Sequence, residues 1–160
     1  MQRARKLTKI LHTVSAAGLI GGLGAYMVLL TVGTPTDANA YAELRGSIKV
    51  ISDYVLLPSL GIALVSGLIS MLVHSPFLDR GWVWIKAAMG ILMFKGVLTV
   101  VSAKSAYAAK VSQEIADGTA APDALASLLS LEWWTLVAVM GVSIANVVLG
   151  VWRPKLVNLS

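Results

Sequence analysis

A chain of 160 residues with 57% hydrophobic and only 13% charged residues lies outside the usual range of water-soluble domains. With no cysteine it excludes disulfides, thiolate metal sites and cysteine nucleophiles. The formal charge of +5 does not mark a nucleic-acid surface, because the basic residues gather at the ends of apolar stretches.

Four such stretches organise the chain. A bilayer core about 30 Å thick needs about 20 apolar residues at 1.5 Å per residue of helix. No residue from Ile10 to Thr36, from Tyr54 to Leu78 or from Trp133 to Trp152 carries a full charge, and Gly81 to Ala103 carries only Lys86 and Lys95. The expected fold is therefore all-α: a single-domain, polytopic membrane protein over residues 1–160. It is an antiparallel bundle of four transmembrane helices, at about 8–32, 50–74, 81–103 and 130–152.

The first span begins after Arg3, Arg5, Lys6 and Lys9 and stops at Gly33-Thr34-Pro35. Ala38-Asn39-Ala40 resembles a cleavage site, but the preceding run exceeds a signal peptide's apolar core, so a retained helix is expected. Thr36 or Asp37 is placed to cap a helix that continues through Arg45 and Lys49 into span 2, with a kink at Pro58 and an end at Ser75-Pro76. Span 3 follows a short turn and projects beyond the membrane as far as Gly118. Thr119 to Asp123 then offers a cap and an early proline for helix 4. Trp82, Trp84 and Trp152 at one level, and Tyr54, Trp133 and Trp134 at the other, read as two interfacial aromatic belts. Seven basic residues flank one side of the spans (Arg3, Arg5, Lys6, Lys9, Arg80, Arg153, Lys155) and four the other (Arg45, Lys49, Lys104, Lys110). The positive-inside rule then puts both termini in the cytoplasm.

Polar residues inside the spans are the candidate site. His12 opens span 1, His74 closes span 2, Lys86 enters span 3 and Asn146 lies about as deep in span 4. Ser59, Ala63, Ser66, Ser70 and His74 fall on one stripe of span 2, and Ser15, Gly18, Gly22 and Ala25 on a similar stripe of span 1. Such stripes let helices approach closely, and polar side chains in membranes face the bundle interior. Two imidazoles at one level suit the axial positions of heme b, with His12 and His74 on the iron and Lys86 and Arg80 toward the propionates. The same residues also read as interfacial histidines and plain helix packing. A bare metal ion fits less well, since only Asp79 adds an acidic ligand on that side. Lys95 lies mid-span, where a lysine costs about 2.5–3.5 kcal/mol. An ion pair across the bundle with Asp53 or Glu132 is the expected relief, and lining a polar path the functional alternative.

Lys9-Ile-Leu-His12, Ala17-Gly-Leu-Ile-Gly-Gly-Leu-Gly-Ala-Tyr26 and Gly81-Trp-Val-Trp-Ile-Lys86, together with Pro58 and Gly67-Leu68, resemble an uncharacterised family of small bacterial four-helix integral membrane proteins. The resemblance covers most of the chain. A more distant likeness is to the four-helix heme-binding protoporphyrinogen oxidase, and further off to copper-resistance D-type membrane proteins. That likeness implies a heme ligand at His12 and a functional lysine at Lys86. The oxidase's Arg and His at the end of its first helix have no counterpart after Tyr26, and its further third-helix His is absent. The expected function is heme b binding for electron transfer or redox chemistry on a porphyrin or quinone, with a redox partner or a homo-oligomer. The alternative is a cofactor-free protein acting through helix–helix contacts.

Overall fold

A computed structural model of the protein describes residues 2–33, 37–73 and 81–152. His74, Asp79 and Arg80 lie outside the described residues. The chain folds into α1 (Gln2–Val32), α2 (Ala38–Ile51), α3 (Leu57–Val73), α4 (Gly81–Gly96), α5 (Ala103–Ala116) and α6 (Ala126–Trp152). A π-helical turn over Ser52–Leu56 fuses α2 to α3, and another over Val97–Ser102 fuses α4 to α5. The result, among the described residues, is four rods long and apolar enough to cross a membrane, at Arg5–Val32, Ala38–Leu72, Gly81–Ala116 and Leu128–Trp152.

The ends follow local chemistry. Asp37, with extended backbone, caps α2 by accepting a hydrogen bond from the Asn39 N–H at 2.9 Å. α5 stops where Gly118 turns left-handed at φ 73°. Its N–H bonds Ile115 O and the next N–H, of Thr119, bonds Glu114 O, the paired bonds of a Schellman ending. α6 starts at Ala126, later than the Thr119–Asp123 cap suggested, because Pro122 to Leu125 form turns first. The disturbance expected at Pro58 takes the form of the first π turn. Proline has no N–H to offer the Tyr54 carbonyl, and the chain inserts a wider turn just before it, with Leu57 N–H reaching back to Ser52 O.

Packing is set by glycines and serines on the facing stripes. A Cβ at Gly18 would meet Ser59 Oγ at 2.8 Å, and one at Gly22 would meet Leu56 Cδ2 at 2.7 Å. As α1 advances from His12 through Gly18 and Gly22 to Gly33, its neighbours retreat from Gly67 through Ser59 and Leu56 to Leu44. Around this seam Leu19, Leu23, Tyr26, Leu60, Val97 and Leu136 form the main core. α2 and α5, the extensions beyond the spans, pack with a second core of Ala108, Val111 and Leu125. Leucines, isoleucines and valines on all four rods point outward, for example Val28, Leu72, Leu92 and Val151, as a surface meant for lipid requires. Trp84, Trp134, Trp152 and Tyr54 are exposed on that surface. Trp82 is not part of a belt, for its ring is buried against Met71 and Val83.

Candidate functional site: a cavity at the basic end

The end of the bundle that carries Arg5, Lys9 and Lys86 encloses a cavity of about 400 Å³, to which all four rods contribute walls. Its depth is apolar, formed by Leu19, Leu60, Leu64, Met71 and Met93, while Arg5, Lys9, His12, Lys86 and Asn146 supply the polar wall. Size and lining are those of a small-molecule site: mostly hydrocarbon, with a few convergent polar groups. Three cations and no carboxylate line it among the described residues.

His12 holds a defined pose in that wall. Its Nδ1 lies 2.8 Å from Ala63 O, a contact in which the ring nitrogen donates, and 3.4 Å from Ser66 Oγ. Ser66 is itself fixed, donating to Ile62 O at 2.6 Å. A neutral imidazole so bonded carries its proton on Nδ1 and presents Nε2 as a lone pair. Gly67 lies beside the ring, where an added Cβ would stand at ordinary contact distance, 3.4 Å from Cε1. Lys86 reaches from α4 across to α6, where its ammonium occupies the space a Cβ at Gly150 would need. Asn146 completes the ring of groups, with Oδ1 buried and unpartnered. An unsatisfied buried oxygen in a cavity wall marks a place for a ligand or an ordered water.

The structure brings His12, Lys86 and Asn146 to the wall of one cavity. His74 and Arg80, the other two members of the proposed heme set, lie outside the described residues. Among the described residues no three His, Asp or Glu side chains gather to hold a metal ion.

With the architecture and cavity in view, comparison of the sequence with known families is informative. Residues 6–154 match the family described as "Predicted integral membrane protein (DUF2269)". The chain belongs to this family. No curated protein and no solved structure matches the chain significantly. Membership places this DUF2269 protein among integral membrane proteins, in agreement with its four rods.

The remaining intramembrane charges correct one expectation. Lys95 does not pair with Asp53 or Glu132; it lies exposed on the outer surface of α4. Asp53 is taken by Lys49 at 2.7 Å, one helical turn before it, and accepts a hydrogen bond from Ser102 at 3.0 Å. Glu132 is held by Arg45 at 2.8 Å and by the Tyr26 hydroxyl. The physical reason is facing: Arg45 sits on the buried stripe of α2 with Ala42 and Ile48, whereas Lys95 projects from the opposite side of its helix to the core residue Met93.

This second polar cluster escaped sequence reasoning, which treated Arg45 as a topology charge. Arg45 and Glu132 side chains are 1% and 2% exposed, and the guanidinium also lies over the Tyr41 ring at 5.9 Å. The signal was present in spacing. Ala42, Arg45, Ile48 and Ser52 recur at three and four residues, the pattern of an inward face.

Proposed function

We propose that this DUF2269 protein binds heme b in the cavity at its basic end and uses it for electron transfer or redox chemistry on a porphyrin or quinone. The observation that carries the reading is the pose of His12: Nδ1 is committed to Ala63 O, and Nε2 is left as a ligand in the wall of an apolar, cation-rimmed cavity. Histidines that ligate metals are oriented by this kind of backbone bond on the other ring nitrogen. The donor set fits the group: an imidazole for the iron, hydrocarbon walls for the macrocycle, and Arg5, Lys9 and Lys86 for the propionate carboxylates. Met71 and Met93 also line the cavity, and a thioether from either would serve as a further ligand to the bound iron. Bound heme supplies a one-electron iron couple whose potential follows its axial ligands and the polarity around it. The protein's part is to exclude water, fix the imidazole and neutralise the acid groups. A host bacterial inner membrane with both termini cytoplasmic is part of the same reading, supported by the charge distribution of the ends.

The test is the absorption spectrum of detergent-purified protein expressed with heme supplied. A Soret band is expected, shifted or lost in His12→Ala and in His74→Ala, and weakened in Lys86→Met. A folded protein with no Soret band rejects the cofactor. A band unchanged in His12→Ala rejects that ligand.

A further inference from the structure

Lys95 stands fourteen residues beyond Gly81, so about 21 Å along the helix from the basic end. It also stands nine residues short of Lys104, farther from that level than a four-carbon stem can reach. Its Cβ leans toward the start of its helix, away from the nearer aqueous face. On both sides the same outward stripe is hydrocarbon, with Ile91, Leu92 and Leu98 exposed. A hydrogen bond from Thr99 Oγ1 to its carbonyl, at 2.7 Å, leaves the ammonium untouched, and no carboxylate pairs with it among the described residues. A cation in this position, facing lipid, needs an anion from outside the chain.

A second copy does not offer one. At membrane depth the carboxylates are Asp53 and Glu132, and both are engaged, by Lys49 and Ser102 and by Arg45 and Tyr26. Asp37, Glu43, Glu114, Asp117 and Asp123 belong to the ends of the rods and the connections between them, and Asp79, outside the described residues, stands sixteen positions before Lys95 in the sequence. We propose that the face of α4 centred on Lys95 docks a transmembrane helix of another protein that carries an aspartate or glutamate at matching depth. Charge complementarity, not the apolar surface, selects that partner; the flanking Ile91, Leu92 and Leu98 supply contact on either side. Gly96, where an added Cβ would meet nothing within 4 Å, leaves room for a close approach next to the lysine.

The experiment uses the full chain reconstituted in phosphatidylcholine vesicles with fluorescent Leu-based transmembrane probe peptides. One probe carries a single Glu at mid-depth, one a Gln, and one only Leu. Energy transfer from labelled protein should show the Glu probe bound about tenfold more tightly than the other two. Lys95→Met should erase that preference while circular dichroism stays unchanged, and Lys95→Glu should turn it toward a probe carrying Lys. Equal binding of all three probes overturns the proposal, as does a preference that survives Lys95→Met. Loss of probe binding on adding phosphatidylglycerol assigns the lysine to lipid phosphate and overturns it too. Self-association of the protein that depends on Lys95 instead names a second copy as the occupant, again against it.

Discussion

The two ends of this bundle handle buried polarity in opposite ways. Away from the basic end, Arg45, Glu132 and Tyr26 close on one another and tie three rods together, with 1% and 2% of the charged side chains exposed. At the basic end His12, Lys86 and Asn146 face a cavity of about 400 Å³. At one end opposite charges close on each other as a clasp; at the other, polar groups line a cavity. The difference separates a stabilising ion pair from the candidate site, and mutations should tell the two apart.

The largest effect should come from splitting the clasp. Arg45→Leu or Glu132→Leu leaves a charge buried without its partner, and each should cost about 3–5 kcal/mol. The double substitution removes both charges, and most of the loss should be recovered. Thermal unfolding in detergent, followed by circular dichroism, reads all three. If either single change is silent, the ion pair does not hold the rods and the contrast between the ends collapses. Arg45 Nε and Nη1 have no partner in the structure, which enlarges the penalty the double substitution relieves.

The close seam between α1 and α3 comes next. Gly22→Ala forces a Cβ to within 2.7 Å of Leu56 and 3.1 Å of Val55, so about 1–3 kcal/mol should be lost. Gly21→Ala, one residue away, meets nothing within 4 Å and gains helix propensity, so it should be neutral or stabilising by up to about 1 kcal/mol. A pair of neighbours with opposite signs is hard to explain by anything except the facing of that seam. Tyr26→Phe, which removes only the hydroxyl from Glu132, should cost less, about 0.6 kcal/mol and no more than about 1.7. A larger drop in that variant would mean that the phenol, rather than the guanidinium, anchors Glu132.

Much of this contrast was legible in the residues. Four uninterrupted apolar runs dictate four rods, and the small-residue stripe of Gly18 and Gly22 announces the seam that the structure shows against Ser59 and Leu56. Gly118 and Asp37 mark helix ends because their backbone needs are local. The basic-end site was legible for a related reason: His12, Lys86 and Asn146 are the rare polar residues at one depth. The clasp was not, because Arg45 lies in a segment of mixed polarity where a charge reads as solvated. Its burial depends on α5 and the start of α6 covering α2, a long-range contact with no local trace. The same limit explains Lys95. Depth in a span follows from counting residues, but the choice between core and lipid depends on the helix's rotation, and a helix as uniformly apolar as α4 leaves that rotation undetermined. The second π turn, Val97–Ser102, has no proline to announce it; its only local mark is a β-branched run, Thr99 to Val101.

The smallest change in stability should accompany the largest change in binding. Lys86 spans from α4 to α6 beside the cavity, and its ammonium is one of three cations on a wall that carries no acid among the described residues. Replacing it with methionine keeps the length and the hydrocarbon stem while removing the charge. Unfolding should shift by no more than about 1 kcal/mol, the scale of a single half-buried charge contact and well below the splitting of the clasp. Affinity for an anionic porphyrin should nevertheless fall by about tenfold, the usual value of one partly desolvated charge-assisted contact. Titration of heme into the purified variant, read beside its melting curve, gives both numbers from one preparation. Should Lys86→Met instead melt early with unaltered heme affinity, the lysine is a strut between α4 and α6, and the division of labour between the two ends is redrawn around it.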